Sequence, residues 1–189
     1  MSDLIACHVT WSGPATRREL LGSGIPKARC VYALTTSDSD TRAMIRFGAS
    51  ADCGKRIREY QVLDLIPGAQ VSWWVVSEQF AKDLEPVLHE YFASSPGDLP
   101  EHLTGKSVAY CINRELDSIE YKVERLLLES YRAKHGCLPP GNPRTGSNRA
   151  YLAQIAIVEE GPTKLLEAEC AKLSPTIPVK GDDLIRLLW

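Results

Sequence analysis

The run Gln70–Val76, QVSWWVV, constrains this chain most. Read as a strand, it sends Val71, Trp73 and Val75 to one face and Trp74 and Val76 to the other, because successive side chains alternate. A strand with one wet face alternates apolar with polar residues, and this one is apolar on both. It therefore predicts a strand inside a sheet that is covered on both sides. Pro67 and Gly68 punctuate the chain before it. Ser77 follows as a helix cap with the acidic Glu78 in the first turn. Phe80, Leu84, Val87, Leu88 and Tyr91 then recur at helical spacing.

Upstream, Cys30–Thr35 and Ala43–Ala49 are two more strand candidates, joined as a hairpin by the polar run Thr36–Thr41. Asp38 and Asp40 in that run lack the central glycine and distant glutamate of a calcium loop, so they read as turn residues. Asp52–Tyr60 predicts a short helix capped by Asp52, with Ile57 inward. Nearer the start, Leu4–Val9 reads as an edge strand, Trp11–Pro14 as a turn and Ala15–Leu21 as a short helix. Downstream, Ser94–Pro100 is a boundary or long loop, and Ser107–Ile112 reads as a fourth strand. Glu115–Lys134 is the strongest helical pattern, stopped by His135 and Gly136. Leu138–Asn148, with its prolines and glycines, predicts irregular structure. Tyr151–Val158 is open between strand and helix. A further helix is expected from Gly161 to Leu173, and Asp182–Trp189 is a short amphipathic end.

These readings imply an α/β or α+β fold. Its core is a small, three-stranded, mainly antiparallel sheet with flanking helices, followed by a mainly helical C-terminal extension. The expected divisions are an N-terminal extension over residues 1–28, the core over 29–93, and an accessory region over 94–189 that completes the core or binds a partner. The formal net charge of -2 over 189 residues rules out a chain dominated by nonspecific nucleic-acid binding, so such a site must be local. Six cysteines without a CxxC pair read as reduced thiols. With no secretory leader and no membrane-length apolar run, the expectation is a cytoplasmic protein without membrane contact.

Tyr32 and Arg46 fall on the two strands of the hairpin, Gly48 two residues past Arg46, and Arg56 in the next helix. Glu85 shares a helix face with Lys82 and His89. Such a set suits phosphodiester chemistry. A carboxylate holds a divalent ion, an arginine offsets charge on phosphate oxygens, and a tyrosine or histidine moves a proton or positions water. Each residue also has a plainer reading, as core aromatic, turn glycine or surface charge. Cys53 with Lys55 nearby is a weaker thiol candidate with no partner pattern.

The order Cys30-Val31-Tyr32, Arg46-Phe47-Gly48, Ser50 and Arg56 resembles the GIY-YIG nuclease superfamily, in particular its shorter branch. The helix Ala81–Phe92, AKDLEPVLHEYF, is similar to the glutamate-bearing helix of that branch. The resemblance covers about residues 29–93 and implies a three-stranded sheet with flanking helices and magnesium-dependent cleavage of DNA, with manganese as a substitute ion. Carried over residue by residue, Tyr32 matches the water-orienting tyrosine and Arg46 stands at the second signature's basic or tyrosine position. Gly48 matches the signature glycine, Arg56 the phosphate-contacting arginine and Glu85 the metal-binding glutamate. Cys30 replaces the first signature's glycine, and no asparagine follows Glu85 at the usual late position. A second registration uses Glu124 or Glu129 in the long helix with Asn142 beyond it, and Lys122, Arg125, Arg132, Arg144 and Arg149 add basic charge there. The alternative to a nuclease is an eroded member of the same fold that binds nucleic acid, another protein or a second copy of itself.

Overall fold

The expected interior strand forms as β5 (Ala69–Val75), with a paired strand on each side. The computed structural model describes residues 5–23, 26–38, 41–94, 103–142 and 150–171. In chain order these hold β1 (Ile5–Thr10), β2 (Ser12–Ala15), α1 (Arg17–Ser23), β3 (Cys30–Asp38), β4 (Thr41–Ser50), α2 (Cys53–Glu59), β5, α3 (Glu78–Ser94), α4 (Val108–Leu116), α5 (Ile119–His135), β6 (Ile155–Glu160) and β7 (Glu169–Cys170). The main sheet runs β2-β5-β3-β4-β7. Its three central strands are antiparallel, as expected. β2 adds an antiparallel edge and β7 a parallel one, which makes the sheet mixed. A separate parallel pair joins β1 to β6. Strand pairing thus ties β2 and β7 to the central strands and β1 to β6.

Two registers set up the site. Tyr32 lies opposite Gly48 on one side and Trp73 on the other. Between β3 and β4 the pairing steps from Leu34–Arg46 to Thr35–Met44, so Ile45 is an extra, bulged residue. Directly opposed residues share a sheet face, so Arg46 emerges on the face that carries Tyr32 and Leu34.

The two faces bury different cores. One carries Val31, Ala33, Phe47, Ala49 and Trp74, against Phe80, Leu84 and Leu88 of α3 and Val123, Leu127 and Tyr131 of α5. The other carries Tyr32, Leu34, Ile45 and Val71, against Ile57 of α2, Tyr60, and Val62 and Leu63 of the 3-10 turn Gln61–Leu65. Both faces are therefore covered, which is why β5 needed apolar residues on each.

Several expectations are corrected. Ser107–Ile112 is no strand: the Ser107 hydroxyl accepts the Tyr110 N–H at 3.2 Å and opens α4. Cys111, Ile112 and Glu115 are then buried at helical spacing while Tyr110 is exposed. The long helix is two helices, broken at Asp117–Ser118, and Gly136 ends the second in the left-handed region at φ 73. Trp11–Pro14 mostly belongs to β2. No helix forms over the described residues 161–171, because the Glu159 carboxylate takes the Leu165 and Leu166 N–H groups at 2.9 and 3.1 Å. Among the described residues the C-terminal part adds the strands β6 and β7 to the helices α4 and α5. Asp182–Trp189 and most of Ser94–Pro100 lie outside the described residues. Among the described residues no helix is long and apolar enough to cross a membrane.

Candidate active site

Tyr32 is almost wholly buried near the start of β3. It can lie across β4 because its partner there is Gly48: a Cβ added at that glycine would fall inside the Tyr32 phenol. Its hydroxyl meets that of Tyr60 at 2.6 Å, and the two rings pack edge-on with centroids 5.7 Å apart. Tyr60 is held by α2. The Asp52 carboxylate caps that helix by accepting the Lys55 N–H at 2.9 Å, and Ile57 anchors it to the sheet. Arg56 stands four residues before Tyr60, so both project from one side of the turn. Its guanidinium lies 5.7 Å from the centre of the Tyr60 ring and 3.5 Å from Glu59.

Arg46 is buried at 8% exposure beside this pair, while the Arg56 side chain keeps 35% of its surface in solvent. Glu124 comes from α5, which lies along β4 and carries Val123 and Leu127 into the opposite core. Burial pushes the Glu124 carboxyl from its ordinary 4.5 up to about 7, and the Arg46 and Arg56 charges hold it back from going further. Burial, first, and then Tyr60 raise the Tyr32 phenol well above 10. Arg46 opposes that rise and the Glu124 charge adds to it. Tyr32, Tyr60, Arg46, Arg56 and Glu124 therefore act on one another's charge across four separate elements.

The free edge of β4 beside Arg46 is held by a strap. The Asn142 side-chain oxygen accepts the Phe47 N–H at 2.9 Å, and its amide donates to the Phe47 carbonyl at 2.8 Å. The Gly141 N–H donates to the Ile45 carbonyl at 2.8 Å. A Cβ at Gly141 would sit 2.9 Å from that carbonyl and 3.0 Å from the Arg46 Cβ, so only glycine lets the strap close this tightly. Asn142 thus copies a neighbouring strand for one residue.

The structure brings Tyr32, Arg46, Gly48 and Arg56 together, but with Glu124 and Asn142. Glu85 and His89 are exposed on α3, whose Leu84 and Leu88 cover the other face of the sheet from Tyr32. Glu129 pairs with Arg125 at 3.2 Å. Lys122 contacts the buried Glu115 at 3.1 Å, and Glu115 also accepts from Tyr151 at 2.5 Å. Arg144 and Arg149 lie outside the described residues. Ser50 shapes the turn into α2 by bonding Asp52 through both its N–H and its carbonyl. Cys53 is buried in the core beneath α2, beside Cys30. Tyr60 was not singled out in the sequence. Its place one helical turn after Arg56 is the signal that could have found it.

A divalent cation is the group that the family resemblance implies, and the donor set fits one. Glu124 offers hard carboxylate oxygen, and its charge is opposed by burial, which a cation would relieve. Among the described residues no three or more His, Cys, Asp or Glu side chains gather to enclose a metal. Magnesium does not require such a cage, since it keeps waters and binds through one or two carboxylates plus phosphate oxygens. Compared with known proteins, the chain matches no family model, no curated protein and no solved structure.

Proposed function

We propose that the protein is a metal-dependent endonuclease of GIY-YIG type that hydrolyses phosphodiester bonds in DNA, with Glu124 rather than Glu85 as the cation-binding carboxylate. The convergence of Tyr32, Tyr60, Arg46, Arg56 and Glu124 at one end of the sheet carries this reading. Two arginines, one buried and one reaching solvent, suit a phosphate that enters from the Arg56 side. Arg56 receives the scissile group, and Arg46 supplies fixed positive charge beneath it.

The tyrosine pair positions the attacking water. Tyr32 remains a phenol at neutral pH, so it orients water through its oxygen while the 2.6 Å link to Tyr60 holds the hydroxyl in place. It is not a standing phenolate base. Glu124 would hold Mg2+ or Mn2+, whose charge stabilises the phosphate oxygens as negative charge builds on them. Asn142 and Gly141 fix the β4 backbone on either side of Arg46 and so keep its guanidinium aimed.

The test is incubation with supercoiled, linear and single-stranded DNA in Mg2+ or Mn2+, with a chelator and the Arg56→Ala variant alongside. The expected result is cleavage that the chelator abolishes and that Arg56→Ala lowers by roughly 10²–10³. Salt-dependent binding without cleavage in either metal would replace this reading with that of a binding protein on the same fold.

A further inference from the structure

One turn before Glu124, α5 buries a second carboxylate. Glu120 is 1% exposed, and its Oε2 has no hydrogen-bond partner. A buried carboxylate oxygen with no partner is costly unless a donor or a cation satisfies it. Its surroundings follow from how the end of α4 and the start of α5 run beside the start of β3. The Arg29 guanidinium donates to the Leu116 carbonyl at 3.1 Å. Next along, Glu120 acts on the Cys30 thiol, which its hydrogen bond with Cys53 and its burial hold well above the ordinary range. Then Glu124 acts on Tyr32. Four helical residues advance about 6 Å and two strand residues about 6.6 Å, so the two spacings stay in step. Glu120 and Glu124 therefore point the same way, into the space between α5, β3 and the start of α2.

We propose that Glu120 is a second ligand of the cation site, sharing with Glu124 one hard divalent ion completed by water and phosphate oxygens. This rests on the nuclease reading above. Both donors are carboxylate oxygens, the class that Mg2+ and Mn2+ take. Glu120 is the inner ligand, sealed from solvent, and Glu124 the outer one beside the arginines.

The test is Mn2+ binding to the full chain without nucleic acid, by loss of the free-ion paramagnetic signal, with thermal unfolding as a check of folding. Glu120→Gln should weaken Mn2+ binding roughly tenfold or more, and Glu120→Asp less, since it keeps a carboxylate. Mn2+ should raise the melting point of Glu120→Gln less than that of the wild type. Glu124→Gln should bind weakest and Glu85→Gln normally. Folded Glu120→Gln with wild-type Mn2+ affinity, while Glu124→Gln is impaired, would overturn this inference and leave the nuclease reading standing. Wild-type affinity in Glu124→Gln, or no Mn2+ binding by the wild type at millimolar ion, would overturn both.

A different observation concerns the far end of α5. Cys137 Sγ and Cys170 Sγ lie 2.9 Å apart, Cys137 exposed and Cys170 half-buried beside the Tyr131 hydroxyl at 3.5 Å. Cys137 opens the strap that ends in Asn142, and Cys170 belongs to β7 on the same β4 edge. We infer that these thiols form a reversible disulfide through exchange with a small organic disulfide: Cys137 displaces one thiol from it, Cys170 displaces the second, and both thiol protons leave with the reduced reagent. After treatment with oxidised glutathione, native protein should lose its two reactive thiols, yield a cross-linked Cys137–Cys170 peptide and melt roughly 5–10 °C higher. Cys170→Ser should trap glutathione on Cys137. A stable glutathione adduct on wild-type Cys137, with Cys170 still reactive, would overturn the inference.

Discussion

α3 and α5 are both 17-residue helices with an apolar stripe packed on the same face of the sheet. They treat their carboxylates in opposite ways. α3 turns Glu78, Asp83, Glu85 and Glu90 to solvent. α5 buries Glu120 and half-buries Glu124, and it lies along β4, whose edge β7 pairs only at Ala43 and Met44. A surface carboxylate is already satisfied by water, whereas a desolvated one beside arginines is poised for a cation. The position of a helix relative to the sheet edge, rather than its glutamate spacing, separates the two.

The largest break in this comparison should come from Glu124→Gln, which removes the carboxylate proposed to hold the cation. Metal-dependent cleavage should fall by roughly 10²–10³ or more in a folded protein, as read from initial rates. Tyr32→Phe comes next. It keeps the ring on Gly48 but removes the hydroxyl that orients water, and should lower the cleavage rate by roughly 10² with little change in melting. Asn142→Ala should act first on stability. It strands the Phe47 N–H and carbonyl at the β4 edge, at about 1–3 kcal/mol by denaturant unfolding, and should lower activity through Arg46.

A pH series sharpens the contrast more gently. The folded Glu124 pKa lies above its ordinary value, so protonation favours the fold. That contribution is complete below pH 4.5 and is lost as pH rises through about 7, a fall of roughly 2–3 kcal/mol in metal-free protein. Glu124→Gln should flatten that part of the curve, and Mn2+ affinity should weaken as pH drops below about 7. Glu85→Gln should alter stability by less than about 0.5 kcal/mol at any pH, since the side chain is exposed.

Much of the central fold was legible because its signals are local. The doubly apolar β5, the Asp52 and Ser77 caps and the Gly136 stop each act within a few residues. The edge strands were not legible. β2 is four residues long and β7 two, and what makes them strands is the partner they meet. Ser107–Ile112 misled because Val, Tyr and Ile favour strands while the Ser107 cap favours a helix, and the cap prevailed. Tyr32, Arg46, Gly48 and Arg56 could be read from order alone, since they lie on adjacent elements. Which of Glu85 and Glu124 comes near Tyr32 depends on how α3 and α5 pack on the sheet, and no local pattern in the sequence carries that.

The most direct test sets Glu124→Gln beside Glu85→Gln in one DNA-cleavage assay, with Mg2+ and Mn2+ and folding checked for both. The account predicts wild-type cleavage by Glu85→Gln and none above the chelator control by Glu124→Gln. Cleavage that survives in Glu124→Gln but disappears in Glu85→Gln would contradict it and move the cation to the other helix.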